Sequence, residues 1–311
     1  PFIKLKISVV ISVYNGEEYL SDTLDSIIQQ TIDDWECWII DDGSVDGTKQ
    51  IVEDYQLKDS RINYKYVEGR RGPYSAANII FPYCKGEYIV RIDADDICMS
   101  NRFELQSEIL DNNKNINVCG SYTYKILDKK PVKKQKKYET NIDFLKWNLL
   151  YRNMIIHSTM MLRNNWFTKL GYYPEKFLSQ DWYVWIEAAY SDCLFIIDKP
   201  LVYFRIHSNQ ISQKSISKQL NHGFIISKNA IKNHLDLNIN EESIKIFILT
   251  IRGIHSSNHK KVKQAILDFI YIREAYERKF KSENTNFHFY YFLFKIIKIN
   301  SKNLSIPKII S

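Results

Sequence analysis

Four short apolar runs, each ended by a turn or followed by a helix-spaced stretch, occupy the first hundred residues. They limit what the chain can fold into. Lys6–Tyr14 (KISVVISVY) is β-branched and apolar on both alternating sets of positions, as a strand covered on both faces must be. Asn15-Gly16 breaks it, and Glu17–Gln30 follows with Tyr19, Leu20, Leu24, Ile27 and Ile28 at helical spacing. Trp35–Ile40 reads as a second strand, Gly47–Gln56 as a helix and Arg61–Val67 as a third strand. Ser75–Lys85 then reads as a helix and Tyr88–Ile92 as a fourth strand. Strand and helix alternating at this spacing predict an α/β fold: a Rossmann-like, mostly parallel central sheet flanked by helices.

In such sheets ligands bind beyond the carboxyl ends of the strands. Three polar clusters fall there: Tyr14-Asn15-Gly16, Asp41-Asp42-Gly43-Ser44 and Asp93-Ala94-Asp95-Asp96. An Asp-x-Asp pair at a strand end supplies the oxygen ligands that suit Mg²⁺ or Mn²⁺, with positions left open for substrate phosphates. By itself the triplet reads equally well as a solvated turn. Its place after an apolar strand, beside two other clusters, favours the metal.

Further along, residues 117–165 read as more strands with a connecting helix. Lys125–Tyr138, with seven lysines and one proline, reads as an exposed hairpin tip. Residues 215–281 carry the helical period, with Ile225, Ile226, Ala230 and Ile231, then Ile244, Ile246, Phe247 and Ile248. The pattern and the charge both change near residue 210. Residues 1–200 hold 25 Lys+Arg against 29 Asp+Glu, whereas residues 201–311 hold 18 against 7. The expected division is a mixed α/β part over 1–210, in halves 1–100 and 101–210, and a basic helical part over 211–311.

These motifs together resemble the family 2 glycosyltransferases, which have the glycosyltransferase A-type nucleotide-sugar fold. The resemblance rests on Val9–Leu20 and on Ile39–Thr48, which carries Asp41-Asp42-Gly43-Ser44. It continues through Ala77-Asn78 and Gly86-Glu87-Tyr88-Ile89 before Asp93–Asp96, then His157-Ser158-Thr159, Gly171-Tyr172-Tyr173, Gln180-Asp181-Trp182 and Tyr203–His207. It covers about residues 5–210 and implies an inverting, Mn²⁺- or Mg²⁺-dependent transferase that takes a UDP-sugar or similar nucleotide-sugar donor. The acceptor would be a hydroxyl of a glycan or lipid-linked sugar in bacterial surface polysaccharide synthesis.

The resemblance also implies roles. Asp41 or Asp42 would bond the base, and Val13 and Tyr14 would line its pocket. Asn78 and Ala94 belong to the same donor-side motifs. Asp93 would hold the ribose, or the metal through water. Asp95 would ligate the metal, His207 would reach the metal or the diphosphate, and Arg205 lies in the same closing motif. Arg70 and Arg71 could reach the diphosphate, since guanidinium suits bidentate phosphate binding. Asp181 matches the general base, although its position also suits a helix N-cap before Trp182. Trp147, Trp166, Tyr172, Tyr173, Trp182, Tyr183 and Trp185 divide between core packing and an acceptor groove.

Other classes fit poorly. The basic third lacks zinc-finger spacing, an RNP-like motif and a basic heptad region, so no nucleic-acid partner is expected. Cys37, Cys84, Cys98, Cys119 and Cys193 form no Cys-x-x-Cys pair and read as buried thiols of a reducing cytoplasm. No apolar run reaches 18 residues and no secretory leader is apparent at the start. Phe287–Asn300 (FHFYYFLFKIIKIN) is aromatic and dotted with lysine. It reads as an interfacial helix on the anionic inner face of the membrane, or as a helix docked on the domain or on a second copy of the chain.

Overall fold

A computed structural model describes residues 5–127, 130–134, 140–175, 179–208, 210, 216–254, 256, 258–281 and 293. The chain divides into two compact units, Pro1–Thr140 with Ile155–Lys214 and Asn141–Met154 with Ser215–Ser311.

The first unit is built on one sheet of nine strands, β1 (Ile7–Val13), β2 (Trp35–Asp41), β3 (Ile62–Tyr66), β4 (Tyr88–Arg91), β5 (Ile97–Cys98), β6 (Val118–Leu127), β7 (Lys130–Lys134), β8 (Met161–Arg163) and β9 (Leu194–Ile206). Their order is β3-β2-β1-β4-β8-β6-β9-β5, with β7 paired to β6. The strands β1 to β4 run parallel, as do β6 and β9, while β8, β5 and β7 run against them. The mostly parallel α/β architecture is therefore borne out. Six of the seven residues of β1 are buried, so both faces of the strand are covered, as its unbroken apolar sequence requires. The helices are α1 (Leu20–Ile28), α2 (Thr48–Lys58), α3 (Pro73–Asn78), α4 (Arg102–Asn112), α6 (Asn164–Leu170) and α7 (Gln180–Tyr190). Leu20, Leu24 and Ile27 of α1 join Val9, Ile11, Cys37, Ile39 and Val90 in the core.

Two local expectations need correction. The helix expected over Ser75–Lys85 starts at Pro73 and stops at Asn78, and a separate 3-10 turn spans Phe81–Tyr83. Pro82 explains the break, because it has no N–H to give to the Asn78 carbonyl and its ring crowds that carbonyl. The helix expected from Glu17 begins at Leu20. Ahead of it Asn15 adopts φ +52, and the first turn hangs from the Gly16 carbonyl. In the lysine-rich stretch, Lys125–Leu127 and Lys130–Lys134 are paired strands, while 128–129 and 135–138 lie outside the described residues.

The long strand β9 positions the site. It runs beside β6, with irregular register where Tyr122 faces Pro200 and Thr123 faces Val202. Proline is tolerated at such a bulge because a ladder donor is not needed there. Past the bulge, β9 pairs antiparallel with β5, Ile97 opposite Tyr203. Antiparallel pairing carries Arg205 and His207 back along Asp95 and Asp93.

The second unit contains α5 (Ile142–Leu149), α8 (Ile216–Leu235), α9 (Glu241–Ile251) and α10 (His259–Phe280). Asn141, Asn240 and Asn258 cap three of them, each accepting a first-turn backbone N–H. Its core is an aromatic cluster of Trp147, Tyr151, Phe247, Phe269 and Tyr276, with ring centroids 5.1 to 5.8 Å apart. Trp147 is thus a packing residue. Among the described residues, no helix is long and apolar enough to cross a membrane. Of Phe287–Asn300 only Leu293 is described, so that segment lies otherwise outside the structure's description.

Candidate active site

The loops after β1 and β2 are tied together by reciprocal bonds. Asn15 N–H donates to Ser44 Oγ at 2.9 Å, and Val45 N–H donates to Asn15 Oδ1 at 3.0 Å. Gly16 N–H donates to Thr48 Oγ1 at 2.8 Å. The two acidic residues at the end of β2 are buried, with Asp41 1% and Asp42 2% exposed. Asp41 accepts from Ser44 N–H and from the Tyr64 hydroxyl, each at 2.7 Å. Asp42 accepts from the backbone N–H groups of Arg71 at 2.8 Å and Gly72 at 2.7 Å. The Asp42 carboxylate therefore holds the loop at 71–72 to the sheet edge, and the Asp41 carboxylate ties its own turn to β3. Above them Tyr14 is 38% exposed, and the Arg70 guanidinium lies over its ring at 4.1 Å. Val13 is buried beneath, its carbonyl accepting from Asp42 N–H at 2.8 Å. Arg71 is exposed.

The acidic triplet sits where β4 ends. His207 Nε2 lies 2.8 Å from Asp95 Oδ2. Arg205 donates to the Asp95 carbonyl at 2.7 Å and to Asp22 Oδ2 at 2.8 Å, and its backbone N–H donates to Asp96 Oδ1 at 2.8 Å. Tyr19 completes the wall, its ring 4.9 Å from that of His207 and beneath the Arg205 guanidinium. Arg205 is therefore a structural clamp on the acidic turn. Thr23 Oγ1 donates to the carbonyls of Ala94 at 3.0 Å and Asp96 at 2.8 Å. Burial, then the charges of Asp95 and Asp93, push the Asp96 carboxyl well above its ordinary value.

Among the described residues, no cluster of three or more His, Cys, Asp and Glu groups is arranged to hold a metal. A nucleotide-completed site does not need one. Mg²⁺ takes one or two protein ligands plus phosphate oxygens at about 2.1 Å in octahedral geometry, which puts neighbouring ligands about 3 Å apart. The 2.8 Å separation of Asp95 Oδ2 and His207 Nε2 is close to one such edge. The donor chemistry fits Mg²⁺ or Mn²⁺.

Asp93 faces the other way. His157 Nδ1 is 3.3 Å from Asp93 Oδ1, and His157 Nε2 is 2.8 Å from the Tyr173 hydroxyl. An ionised Asp93 can only accept, so Nδ1 carries a proton toward it. Desolvation would raise the Asp93 carboxyl. The His157 hydrogen bond, with the charges of His157 and Arg91, more than offsets it and holds the group below its ordinary value. Asp93 N–H donates to Ser158 Oγ at 3.0 Å. The Asn78 side chain grips the Tyr173 backbone, donating to its carbonyl at 2.8 Å and accepting its N–H at 3.2 Å. Asn78 thus ties α3 to the segment before α7.

Asp181 lies in the first turn of α7, 6% exposed. The N-cap position belongs to Ser179, so Asp181 is not the helix cap. Its Oδ1 accepts from the Tyr74 hydroxyl at 3.0 Å. The Tyr74 ring packs against His157 at 5.1 Å and Tyr173 at 5.0 Å. Tyr74, Tyr173 and His157 thus join the Asp93 side of the cleft to the Asp181 side. From sequence, His157 stands only within a motif, Tyr173 within a motif and among the aromatics divided between core and acceptor groove, and Tyr74 in neither. The contacts that reveal them span 64 and 107 positions, beyond any local periodicity.

This strand order, with an acidic turn at the sheet edge linked through His157 and Tyr74 to Asp181, is that of a glycosyltransferase A-type nucleotide-sugar fold. The sequence profile described as glycosyl transferase family 2 matches residues 8–173, more than half of the chain. The chain belongs to that family and is a transferase enzyme. An uncharacterised glycosyltransferase of Haemophilus influenzae is 30% identical over 279 residues, covering 86% of this chain and 85% of the relative. The putative teichuronic acid biosynthesis glycosyltransferase TuaG of Bacillus subtilis is 35% identical over 104 residues, 33% of this chain and 41% of TuaG. Staphylococcus aureus TarS 1–349, solved with UDP and with UDP-GlcNAc, superposes with a TM-score of 0.62 over 95% of this chain and 89% of that one, at 20% and 19% identity. The mannosyltransferase PcManGT of Pyrobaculum calidifontis, solved with GDP-Man and Mn²⁺, gives a TM-score of 0.56 at 15% identity, over 97% of this chain and 88% of that one.

Proposed function

We propose that this chain moves a sugar from a UDP-sugar to a hydroxyl of a glycan or lipid-linked acceptor of bacterial surface polysaccharide, with inversion and with a divalent metal. One observation carries the reading. Asp95 of the acidic turn meets His207, while Asp93 of the same turn meets His157, whose ring packs on the Tyr74 that bonds Asp181, all within a single compact unit. The UDP and UDP-GlcNAc complexes of TarS support the donor class, and the name of TuaG supports a surface polymer.

In this reading Asp41, Asp42, Val13, Tyr14, Arg71 and Asn78 form or support the donor pocket, and Asp93 holds the ribose. Asp95 and His207 would hold Mn²⁺ or Mg²⁺, which when bound offsets charge on the departing diphosphate. Asp181 takes the proton of the acceptor hydroxyl. That oxygen bonds to the anomeric carbon as the bond to the diphosphate oxygen breaks on the opposite face. One displacement, with one carboxylate as base, inverts the centre. The basic C-terminal part supports peripheral attachment to the cytoplasmic face of the membrane.

Thermal unfolding tests this directly. A ligand at 100 times its Kd stabilises by about 2.7 kcal/mol, which for a chain of this size raises Tm by about 5 °C. UDP with Mn²⁺ should give such a shift, and an oligonucleotide should give none. A shift with the oligonucleotide and none with UDP would overturn the transferase reading.

A further inference from the structure

We infer that Tyr74 is the positioning residue of the acceptor side: its hydroxyl fixes the Asp181 carboxylate for proton abstraction and ties it to the donor loop. This rests on the reading of Asp181 as the base. The loop carrying Tyr74 is anchored from the donor side at three points. Asp42 accepts from Arg71 and Gly72, and Ser12 Oγ donates to the Pro73 carbonyl at 2.6 Å. Gly72 adopts φ +93, a left-handed conformation that a side chain would resist, and turns the chain into α3. Pro73 follows at the first helical position and leaves Tyr74 little freedom.

From this rigid base the ring packs against both His157 and Tyr173, and the hydroxyl meets Asp181 Oδ1. Burial, then the charges of Asp181 and Asp93, raise the Tyr74 phenol well above its ordinary value, so it stays a donor through the neutral range. The titratable and charged groups around it are Asp181, Asp93, His157 and Tyr173, with Arg91 acting on Tyr173. A phenol held as a donor can orient a carboxylate without competing for the proton. The acceptor hydroxyl then meets an oriented base only when the 69–74 loop is seated on Asp42.

Tyr74→Phe tests this, because it keeps the ring contacts and removes one hydroxyl. The assay is donor hydrolysis with Mn²⁺, using whichever of UDP-GlcNAc, UDP-glucose, UDP-galactose and GDP-mannose turns over fastest. Turnover should fall about tenfold through lost orientation, with the donor KM unchanged. In an Asp181→Asn background, Tyr74→Phe should add nothing, as for two residues acting through one group. If Asp181→Asn is inactive while Tyr74→Phe keeps wild-type turnover, the inference is overturned and the base stands. If Asp181→Asn is itself near wild type, both fall. A Tm close to wild type for Tyr74→Phe shows that folding is not the cause.

Discussion

At Asp95 two uses compete for one oxygen. Its Oδ2 bonds His207 in the free protein, and the same edge would take a divalent cation. Asp95→Ala removes the carboxylate, while its carbonyl still accepts from Arg205. Transfer should be lost, and with it the Mn²⁺ dependence of nucleotide-induced stabilisation, while circular dichroism stays unchanged. Full activity of this variant in EDTA would contradict metal dependence. A different residue governs stability in acid. Asp59 receives three hydrogen bonds from the Arg61 side chain, at 2.7 to 3.2 Å. Those bonds, set against partial burial, hold its carboxyl below the ordinary value. A depressed folded pKa contributes stability above the unfolded value of about 3.9, and the contribution is lost as pH falls through the folded value. Asp59→Asn should therefore lower Tm at pH 7 and converge on wild type near pH 2. Equal losses at both pH values would contradict the pairing.

Between elements, the approach of Gly86 to β1 is the most exacting contact. Its N–H donates to Ser8 Oγ at 2.8 Å, and a Cβ there would lie 2.3 Å from Ser8 N and 2.6 Å from the Ile7 carbonyl carbon. Backbone cannot move aside as a flexible side chain can. Gly86→Ala should cost about 1–3 kcal/mol, seen as a lower urea midpoint with unchanged slope. The four strands of the donor half were legible because each is a short apolar run with its own terminator, such as Asn15-Gly16 after β1. The break in α3 was also within reach, since Pro82 stands in the sequence. Helix α4 was missed because its buried face interleaves Arg102, Gln106 and Ser107 with Phe103 and Leu110, which breaks the apolar stripe. The full length of β9 was missed because Pro200 interrupts its pattern, and only pairing to β6 keeps it extended. Asp93, Asp95, His207 and Asp181 could be named from motifs. Their grouping could not, since it depends on the β5–β9 register and on Tyr74 reaching across 107 positions.

At the scale of the molecule the charge is divided, with 18 basic against 7 acidic residues after residue 200. If this part holds the enzyme to an anionic surface, removing residues 285–311 should abolish sedimentation with anionic vesicles and leave donor hydrolysis unchanged. Undiminished vesicle binding would assign the segment to docking instead. The proposed base and the acidic turn both lie in the first unit. The most direct measurement is therefore turnover and donor affinity of Asp181→Asn in the whole protein. Asparagine keeps the size of the side chain and can still accept from Tyr74, but it cannot take the acceptor's proton. Turnover should fall by about 10²–10⁴-fold, while donor affinity and Tm hold, as for an interaction used mainly in the transition state. Turnover near the wild-type value would contradict the assignment of Asp181 as the base.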